Sequence, residues 1–599
     1  MFFKTSCFVL FLFFSIETTW AQGFLKADGT RIIDKSGKEI LLRGIGLGGW
    51  MLQEPYMLQL GGIAGTQQEI KTKIKELIGR ERTDSFYNAW LANAVSKRDV
   101  DSLAAWGFNS IRLPMHYNLF MLPVDEEPQS GKNTWLEKGF ALTDSLLQWC
   151  KANKIYLILD LHAAPNGQGN DRAISDRDTS KPSLWQSEAA QQKTIALWRK
   201  LAERYANEPW IGGYDLINEP NWGFADPADK NGLAEQGNGP LKKLYMELTR
   251  TIREVDKNHI LIIEGNGWGN NYNGMFPLWD SNMVVSFHKY WNRNDTASIH
   301  RFLELREQYK VPIWCGESGE NSNVWFTDAI SLFESHHIGW AWWPLKKIGI
   351  NNPLEIKAPD SYKSLLRYWK GEASKPAATA AFNALIQLAT AAKIENTIVH
   401  KDVIDAMFRQ VYDTTAIPFK QHILRPGLVV FAVDYDLGRN GFAYYDNDTA
   451  DFHVATQKNS VGNRGRVYRN DGVDIKSCTD SIMNGFNVAW MEPGEWLQYT
   501  LNVPGKGKYN LEMRVKTDSA ATLQLFINGK AGAVTTFSKA HAGNNGWQTV
   551  HLNDLYFQPG AHHLRIYVKS GAPELNYIWF NQTTAAQQNS KNKYNKNSQ

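Results

Sequence analysis

Eight short apolar runs between residues 39 and 343 constrain the fold of this chain more than any other feature. Most are continuously apolar rather than alternating, as expected of parallel strands that are covered on both faces. Amphipathic stretches with apolar positions at helical spacing separate them, for example at residues 138–154, 188–206 and 241–257. The strand candidates are residues 39–47, 109–114, 155–162, 212–218, 260–265, 283–290, 312–317 and 338–343.

This alternation predicts an α/β fold, namely a (β/α)8 barrel (TIM barrel), in which functional residues lie where strands end and loops begin. A doubly wound open sheet is the alternative. It is weakened because no Gly-x-Gly-x-x-Gly phosphate loop follows the first strand candidate.

Nearly every strand candidate ends in a polar or aromatic side chain, which predicts a shared pocket at one mouth of the barrel. Glu219 follows the fourth candidate and Glu317 ends the seventh. Two carboxyl groups across a cleft can cleave a glycosidic bond, because one protonates the leaving oxygen while the other attacks the anomeric carbon or activates water. The remaining strand-end residues are Arg112, His162, Asn218, Glu264, His288, Tyr290 and the pair Trp342 and Trp343.

The neighbours of the two glutamates could separate their pKa values. Asn218 could hydrogen-bond a substrate hydroxyl, and Arg112 could keep Glu317 ionised. His288 and Tyr290 could orient the pair. Each of these residues alone has an ordinary structural interpretation, as a loop carboxylate, an ion pair or a core histidine.

No metal is expected in the catalytic site. Asp160 and His162 have the residue types of metal ligands, but no third ligand stands at a useful spacing. Glu264 is interpreted as structural. Four tryptophans in predicted loops, Trp50, Trp222, Trp268 and Trp291, are candidate cleft walls, since flat apolar rings can stack on sugars.

Six motifs occur in one order, "GFNSIRLP", "LDLH", "GYDLINEP", "SFHKYW", "WCGESG" and "GWAWWPLKK". Over about residues 25–370 the chain thus resembles glycoside hydrolase family 5, the cellulase-like retaining β-glycosidases with a (β/α)8 fold. The resemblance implies that Glu219 is the acid/base and Glu317 the nucleophile. It also implies substrate-binding roles for Arg112, His162, Asn218, His288, Tyr290 and the platform tryptophan Trp343.

The substrate linkage stays open at the sequence level. The resemblance implies an endo-β-1,4-glucanase, but "LLRGIGLGGWMLQEPY" (41–56) is similar to the start of fungal-type exo-β-1,3-glucanases of the same family. The alternatives are therefore a β-1,3-glucanase, endo or exo, or a hydrolase of another β-linked polysaccharide. Transfer of the glycosyl group to a sugar instead of water is a variant, and a non-catalytic carbohydrate-binding protein is the alternative from another class.

From about residue 426 the chain shows short alternating strands between Gly, Asn and Pro turns, which predicts an all-β sandwich. Motifs such as "NGFNVAWMEPGEWLQYTLNV" and "NNGWQTV" resemble a family 6 carbohydrate-binding module. The resemblance implies that Trp490 and Trp547 sandwich a sugar ring and that Asn576 hydrogen-bonds its hydroxyls. Val433 stands where such modules have a glutamate ligand for calcium, so a structural calcium ion would need Asp434 or Asp436 instead.

The first residues contain Lys4, an apolar run and a small-residue exit, which predicts a signal peptide over 1–21 that is cleaved near Ala21. The predicted product is secreted, extracellular or periplasmic. The expected domains are a catalytic domain with a helical extension (22–425), a binding module (426–582) and a disordered tail (583–599).

The expected partner is a β-glucan. With 65 Lys plus Arg against 61 Asp plus Glu, the net charge of +4 gives no reason to expect a nucleic-acid partner. No membrane span is expected, no cofactor is expected for catalysis, and a monomer is the predicted state.

Overall fold

The computed structural model describes residues 23–447, 464–540 and 544–582. The predicted signal peptide and the predicted disordered tail lie outside these residues. Among the helices within them, none combines the length and the apolar character that crossing a membrane requires.

A closed barrel of eight parallel strands occupies the N-terminal half of the chain. A hairpin of β1 (Lys26–Asp28) and β2 (Arg31–Ile33) precedes it. Around the barrel each strand pairs with the next, and β10 closes onto β3. The predicted (β/α)8 barrel is therefore confirmed. The barrel strands are β3 (Arg43–Gly46), β4 (Ser110–His116), β5 (Tyr156–Ala163), β6 (Ile211–Asp215), β7 (Leu261–Glu264), β8 (Met283–Lys289), β9 (Ile313–Gly319) and β10 (Gly339–Trp343).

The helices lie between and after these strands. The three amphipathic stretches noted in the sequence form α4, α6 and α7. The helices are α1 (Gln67–Ile78), α2 (Arg80–Ala94), α3 (Lys97–Trp106), α4 (Glu137–Asn153), α5 (Arg172–Ser175), α6 (Glu188–Tyr205), α7 (Gly239–Val255), α8 (Asn266–Gly269), α9 (Thr296–Tyr309), α10 (Asn323–Ser335), α11 (Asp360–Trp369), α12 (Ala378–Ala391), α13 (Lys401–Met407) and α14 (Arg409–Tyr412).

Strand β5 shows how the barrel positions polar groups. Leu157, Leu159 and Leu161 belong to the large apolar core that includes the surrounding helices. Ile158 belongs to a separate cluster with residues from other strands, such as Ile262 and Trp314. Since side chains alternate along a strand, Asp160 and His162 lie on the same side as Ile158, toward the barrel interior. The continuous apolar run thus ends in polar side chains at the carboxyl mouth.

The C-terminal part consists of two antiparallel-rich sheets of six strands each, which confirms the predicted all-β architecture. Their inner faces enclose one apolar core, with Leu497, Leu511 and Ile566 among its members. A small sheet of β11 (Lys346–Lys347), β12 (Leu354–Glu355) and β13 (Ile398–Val399) lies earlier in the chain. The domain limits given above stay predictions. The later strands are β14 (His422–Ile423), β15 (Leu428–Phe431), β16 (Tyr444–Tyr445), β17 (Ile475–Ser477), β18 (Phe486–Val488), β19 (Trp496–Val503), β20 (Gly507–Lys516), β21 (Ala521–Ile527), β22 (Lys530–Phe537), β23 (Trp547–Phe557), β24 (Gly560–Ser570) and β25 (Glu574–Gln582).

Candidate active site

Glu219 and Glu317 meet at the carboxyl mouth of the barrel, although they are far apart in the sequence. One oxygen of each carboxyl group and one ring nitrogen of His288 all lie within 4.8 Å of one another. Both glutamates are largely buried, at 6% and 7% exposure. They line a cavity of about 550 Å³, which is large enough for sugar units.

Both oxygens of Glu317 accept hydrogen bonds. Nη1 of Arg112 donates to Oε2 at 2.8 Å, and the hydroxyl of Tyr290 donates to Oε1 at 2.8 Å. Burial and then the charge of Glu317 raise the pKa of Tyr290 well above its usual value, so its hydroxyl keeps the proton that it donates. Hydrogen bonds to the charged form stabilise a carboxylate. This environment suits an ionised Glu317.

Arg112 connects the residues of the mouth. Its side chain is fully buried. Besides Glu317, it donates to Asp215 at 2.9 Å, to Asn218 Oδ1 at 2.8 Å and to Glu264 at 2.9 Å. Burial opposes its charge, but the surrounding carboxylates raise its pKa well above the ordinary value. The guanidinium therefore stays charged and fixes several acidic groups at once.

The environment of Glu219 is different. Nδ1 of His288 donates to Glu219 Oε1 at 2.6 Å, and the backbone N–H of Glu219 donates to Glu264 Oε2 at 2.7 Å. Burial raises the pKa of Glu219, and the charge of His288 offsets this only in part. The backbone of Glu219 has φ 43°, a left-handed conformation that is uncommon for a residue with a side chain. Such strain persists where the surrounding structure fixes it, often at functional sites.

Glu264, interpreted as structural from the sequence, connects the two halves of the site. It contacts Arg112, the backbone of Glu219 and Nε2 of His288, the last at 3.2 Å. Burial opposes its charge, but His288 and Arg112 lower the pKa of Glu264 to about 2. It therefore carries a permanent negative charge beside His288.

His288 is held in its charged form. Burial alone would lower its pKa, but the charges of Glu264, Glu317 and Glu219 raise it well above the usual value. Glu219, His288 and Glu317 have the spacing of a three-ligand cation site. A protonated imidazole has no free lone pair for a metal, so the cluster is better described as an acid pair with a hydrogen-bond donor.

Trp343, rather than Trp342, faces the cleft. Its ring stacks on His162 with centroids 5.0 Å apart and 8° between the planes, and its Nε1 donates to the hydroxyl of Tyr56 at 3.0 Å. Trp342 is fully buried, and its ring contacts those of Trp325 and Phe326. The sequence alone could not separate these adjacent tryptophans.

His162 and Asn218 complete the inner wall of the site. Nδ1 of His162 lies 2.8 Å from Asp160 Oδ2, and its Nε2 lies 3.3 Å from Asn218 Nδ2. Both side chains are buried. Their contacts with one another fix the amide of Asn218 beside Arg112.

The sequence-based reasoning missed several acidic and aromatic residues that line the cleft. Glu54, Tyr56, Asp171 and Glu320 all border the cavity. Burial and then the charges of Glu317 and Glu320 raise the pKa of Glu54 well above the ordinary value. Glu54 and Tyr56 lie in the segment after β3, where the sequence has no strand or helix periodicity that would predict their position. The only sequence signal for them is the "EPY" triplet shortly after "GLGGW".

The four loop tryptophans have different environments. Trp268 and Trp291 line the cavity. Trp50 is 2% exposed and donates from Nε1 to the carbonyl of Leu91, so it is a core residue rather than a cleft wall. Trp222 is half-buried, with the guanidinium of Arg177 4.7 Å from its ring centroid.

In the C-terminal part, the three predicted sugar-binding residues are not equally accessible. Trp490 is 40% exposed, with Lys476 Nζ 5.2 Å from its ring centroid. Trp547 is 2% exposed and donates to Thr479 Oγ1 at 3.3 Å. Asn576 is fully buried and donates to Asp480 at 3.0 Å. Their roles toward carbohydrate stay predictions.

The two alternative calcium ligands already have protein partners. Asp434 accepts from Lys420 Nζ at 3.0 Å, and Asp436 accepts from the backbone and hydroxyl of Thr500 at 2.9 and 2.7 Å. Calcium in the module stays a prediction.

A (β/α)8 barrel with a pair of buried glutamates at its carboxyl mouth, in two different environments, has the architecture of a glycoside hydrolase. The comparison with protein families agrees. Residues 68–348 match the cellulase model of glycosyl hydrolase family 5, and the barrel is therefore a family 5 glycoside hydrolase domain. Glycosidases of this family need no cofactor for catalysis.

Residues 469–581 match the carbohydrate-binding module of family 35. The prediction of a family 6 module is therefore wrong, while the prediction of a carbohydrate-binding module is confirmed. The alternating strands and the short motifs on which it rested predict a β-sandwich carbohydrate-binding module correctly but do not separate the two families.

Three curated relatives are similar to the chain. A β-xylosidase of Phanerodontia chrysosporium is 27% identical over 383 residues, which cover 58% of this chain and 75% of the relative. Endoglucanase C of Acetivibrio thermocellus is 24% identical, over 53% of this chain and 95% of the relative. A probable glucan 1,3-β-glucosidase A of Aspergillus niger is 25% identical, over 42% of this chain and 56% of the relative.

Proposed function

We propose that this chain is a secreted, retaining glycoside hydrolase that cleaves β-glucosidic bonds within a polysaccharide, as an endo-β-1,4-glucanase. Glu219 is the acid/base and Glu317 the nucleophile. The observation that carries the proposal is the close approach of these two carboxyl groups in opposite environments. Secretion is supported by the signal-peptide pattern of residues 1–21.

The separation of the two groups favours retention of configuration. Retaining glycosidases hold their carboxyl groups about 5 to 5.5 Å apart, whereas inverting enzymes leave room for a water molecule at about 6.5 to 9.5 Å. The nearest approach of Glu219 and Glu317, within 4.8 Å between ligand atoms, fits the shorter class.

The chemistry then takes two steps. The Glu317 carboxylate attacks the anomeric carbon while Glu219 gives its proton to the departing glycosidic oxygen, which leaves a glycosyl ester on Glu317. Glu219, now ionised, takes a proton from water as that water attacks the anomeric carbon and releases Glu317. The raised pKa of Glu219 keeps its proton available for the first step.

Substrate choice rests on the relatives and on the cleft. The match to the cellulase model supports the β-1,4 linkage, and a relative named endoglucanase C supports cleavage within the chain. A β-1,3-glucan is the second candidate, because Glu54 and Tyr56 from the "GLGGW" segment border the cavity and a relative is named a glucan 1,3-β-glucosidase. The β-xylosidase relative adds xylan to the substrates worth testing.

The test is the release of reducing sugar from β-1,4-glucan, mixed-linkage glucan, β-1,3-glucan and xylan by the mature protein. Release from the β-1,4 and mixed glucans supports the proposal. Release confined to β-1,3-glucan or to xylan would show that the enzyme cleaves that polymer instead of β-1,4-glucan. We expect Glu317→Ala to abolish turnover with the fold intact, since it removes the carboxylate that forms the ester. The matched control is Glu304→Ala, whose side chain is 64% exposed on helix α9.

Two outcomes would overturn the proposal. Retention of a tenth of the wild-type rate by Glu317→Ala would exclude Glu317 as nucleophile, and inactivity on the whole panel would favour a binding protein. The anomeric form of the first product, followed by NMR, separates retention from inversion.

A further inference from the structure

The segment that follows Glu317 makes an unusually sharp turn. Gly319 has φ 139° and Glu320 has φ 53°, so two successive residues have positive φ values. For Glu320 this left-handed conformation costs free energy and persists only when neighbouring groups fix it. Glu320 lines the cleft and pairs with Lys347 at 2.5 Å. The turn therefore directly follows Glu317, the proposed nucleophile, and places the Glu320 side chain in the cleft wall.

The next residues of this segment contact the binding module rather than the barrel alone. Asn470 Nδ2 donates to the carbonyl of Asn321 at 2.8 Å and lies 3.1 Å from Asn323 Oδ1. The backbone N–H of Asn323 donates to the carbonyl of Asn470 at 2.9 Å. Asn323 Nδ2 also donates to Asp471 at 3.0 Å. Asn470 and Asp471 thus hold the chain just beyond the cleft.

These contacts are buried and connected to a third element. Asn321, Asn323, Asn470 and Asp471 are each at most 4% exposed. Asp402 of helix α13 accepts from Asn323 Nδ2 and from the backbone N–H of Asn470, both at 2.8 Å. A buried amide or carboxylate without hydrogen-bond partners destabilises the fold. The side chains of Asn323 and Asn470 avoid this cost through the contacts that the segment and the module make with one another.

The module side of this contact is itself rigid. Arg469 is fully buried, and its Nε donates to Asp471 Oδ2 at 2.8 Å. The ring of Tyr435 lies 3.7 Å from the guanidinium carbon of Arg469, and its hydroxyl donates to Asp471 at 3.1 Å. Asp471 is therefore fixed before it meets Asn323, and a flexible surface loop would not provide such a contact.

We propose that the binding module is a structural part of the active site, in which Asn470 acts as a positioning residue for the segment 317–323 and hence for Glu317. The proposal rests on the proposed function in one respect, the role of Glu317. The module then contributes to hydrolysis of small soluble substrates that cannot bridge the two domains, in addition to any effect on polysaccharide binding.

The test compares Asn470→Ala with Asn487→Ala in the full chain. Asn487 is a fully buried asparagine of the same module, whose Nδ2 donates to Val488 and Glu574 and does not contact the barrel through either bond. Asn470→Ala removes the two side-chain contacts with the segment but keeps the backbone ones. Asn470→Ser is the second variant if the alanine protein fails to fold.

Two measurements separate positioning from simple stabilisation. Hydrogen exchange of residues 317–323, followed by mass spectrometry, needs no substrate, and we expect faster exchange in Asn470→Ala alone. The second is turnover of a 2,4-dinitrophenyl β-glycoside of the disaccharide that the substrate panel identifies. Its leaving group needs little acid assistance, so the rate of ester formation, which kcat/KM measures, reports mainly on Glu317. We expect kcat/KM to fall about tenfold, because small misplacements of reacting groups are costly.

The proposal is overturned if Asn470→Ala exchanges and turns over like Asn487→Ala, or if it only melts earlier with kcat/KM unchanged. If the wild-type protein hydrolyses no substrate, the proposed function fails, and the exchange measurement still decides whether the module holds the segment.

Discussion

At the scale of single residues, the two glutamates proposed as catalytic differ because their partners differ. Glu317 accepts from Arg112 and Tyr290, and Glu219 accepts from His288. Burial raises the pKa of Glu219, and the negative charge of Glu317 raises it further. Glu219, the proposed acid, therefore depends on Glu317, the proposed nucleophile, for part of its proton affinity.

Glu317→Gln should accordingly lower the pKa of Glu219. The substitution preserves the shape of the side chain and removes the negative charge, so one cause of the raised pKa disappears while burial remains. A carbon-13 NMR titration of glutamate-labelled protein measures this directly. Glu304→Gln, an exposed change, is the control. An unchanged or higher pKa in Glu317→Gln would show that the two carboxyl groups do not interact.

The sequence predicted most of these residues because a barrel brings the carboxyl ends of its strands together in space, although they are far apart in the sequence. Asn218, His288 and Glu317 each follow an apolar run, and this signal is local. Glu54 gives no such signal, since it lies in an irregular loop. Its place in the cleft depends on how that loop folds back over the barrel, which is a tertiary effect.

At the scale of elements, the glycines at the end of strand β3 and just after it explain how Trp343 reaches the cleft. A Cβ atom on Gly46 would lie 2.5 Å from the Trp343 ring, and one on Gly48 would lie 2.7 Å from it. Real side chains do not approach so closely, so both positions need a residue without Cβ. The ring also stacks on His162, which limits its movement. The "GIGLGGW" pattern therefore provides space for the platform tryptophan.

Gly48→Ala should displace the Trp343 ring and lower kcat/KM on soluble oligosaccharides by about tenfold, because substrate orientation at the reacting bond is sensitive to small shifts. Gly61→Ala is the matched control, since its Cβ would meet no atom within 4 Å. Steady-state kinetics and a melting curve for both variants check this. Equal kinetics in the two would show that the ring adapts without loss.

At the scale of the whole molecule, the family 35 module is both attached to the barrel and a candidate surface for polysaccharide. The sequence pattern predicted a β-sandwich correctly, because turn residues and the alternation of apolar and polar side chains along strands are local signals. It could not show which tryptophans are accessible. Trp490 follows strand β18 and Trp547 begins strand β23, and their different exposure, 40% against 2%, depends on tertiary packing. The choice of sugar-binding residues therefore needs the structure.

Trp490→Ala should weaken retention of the full chain on an insoluble glucan and leave its melting temperature near wild type, because the ring is 40% exposed. Tyr556→Ala, at another exposed aromatic residue of the module, is the control.

Trp547→Ala should instead destabilise the protein by about 3 to 5 kcal/mol, since it empties a buried site. Pull-down on the glucan and thermal melts separate these effects. If Trp547→Ala lost only binding and kept its melting temperature, its ring would have to reach the sugar, and Trp490 would no longer be the better candidate.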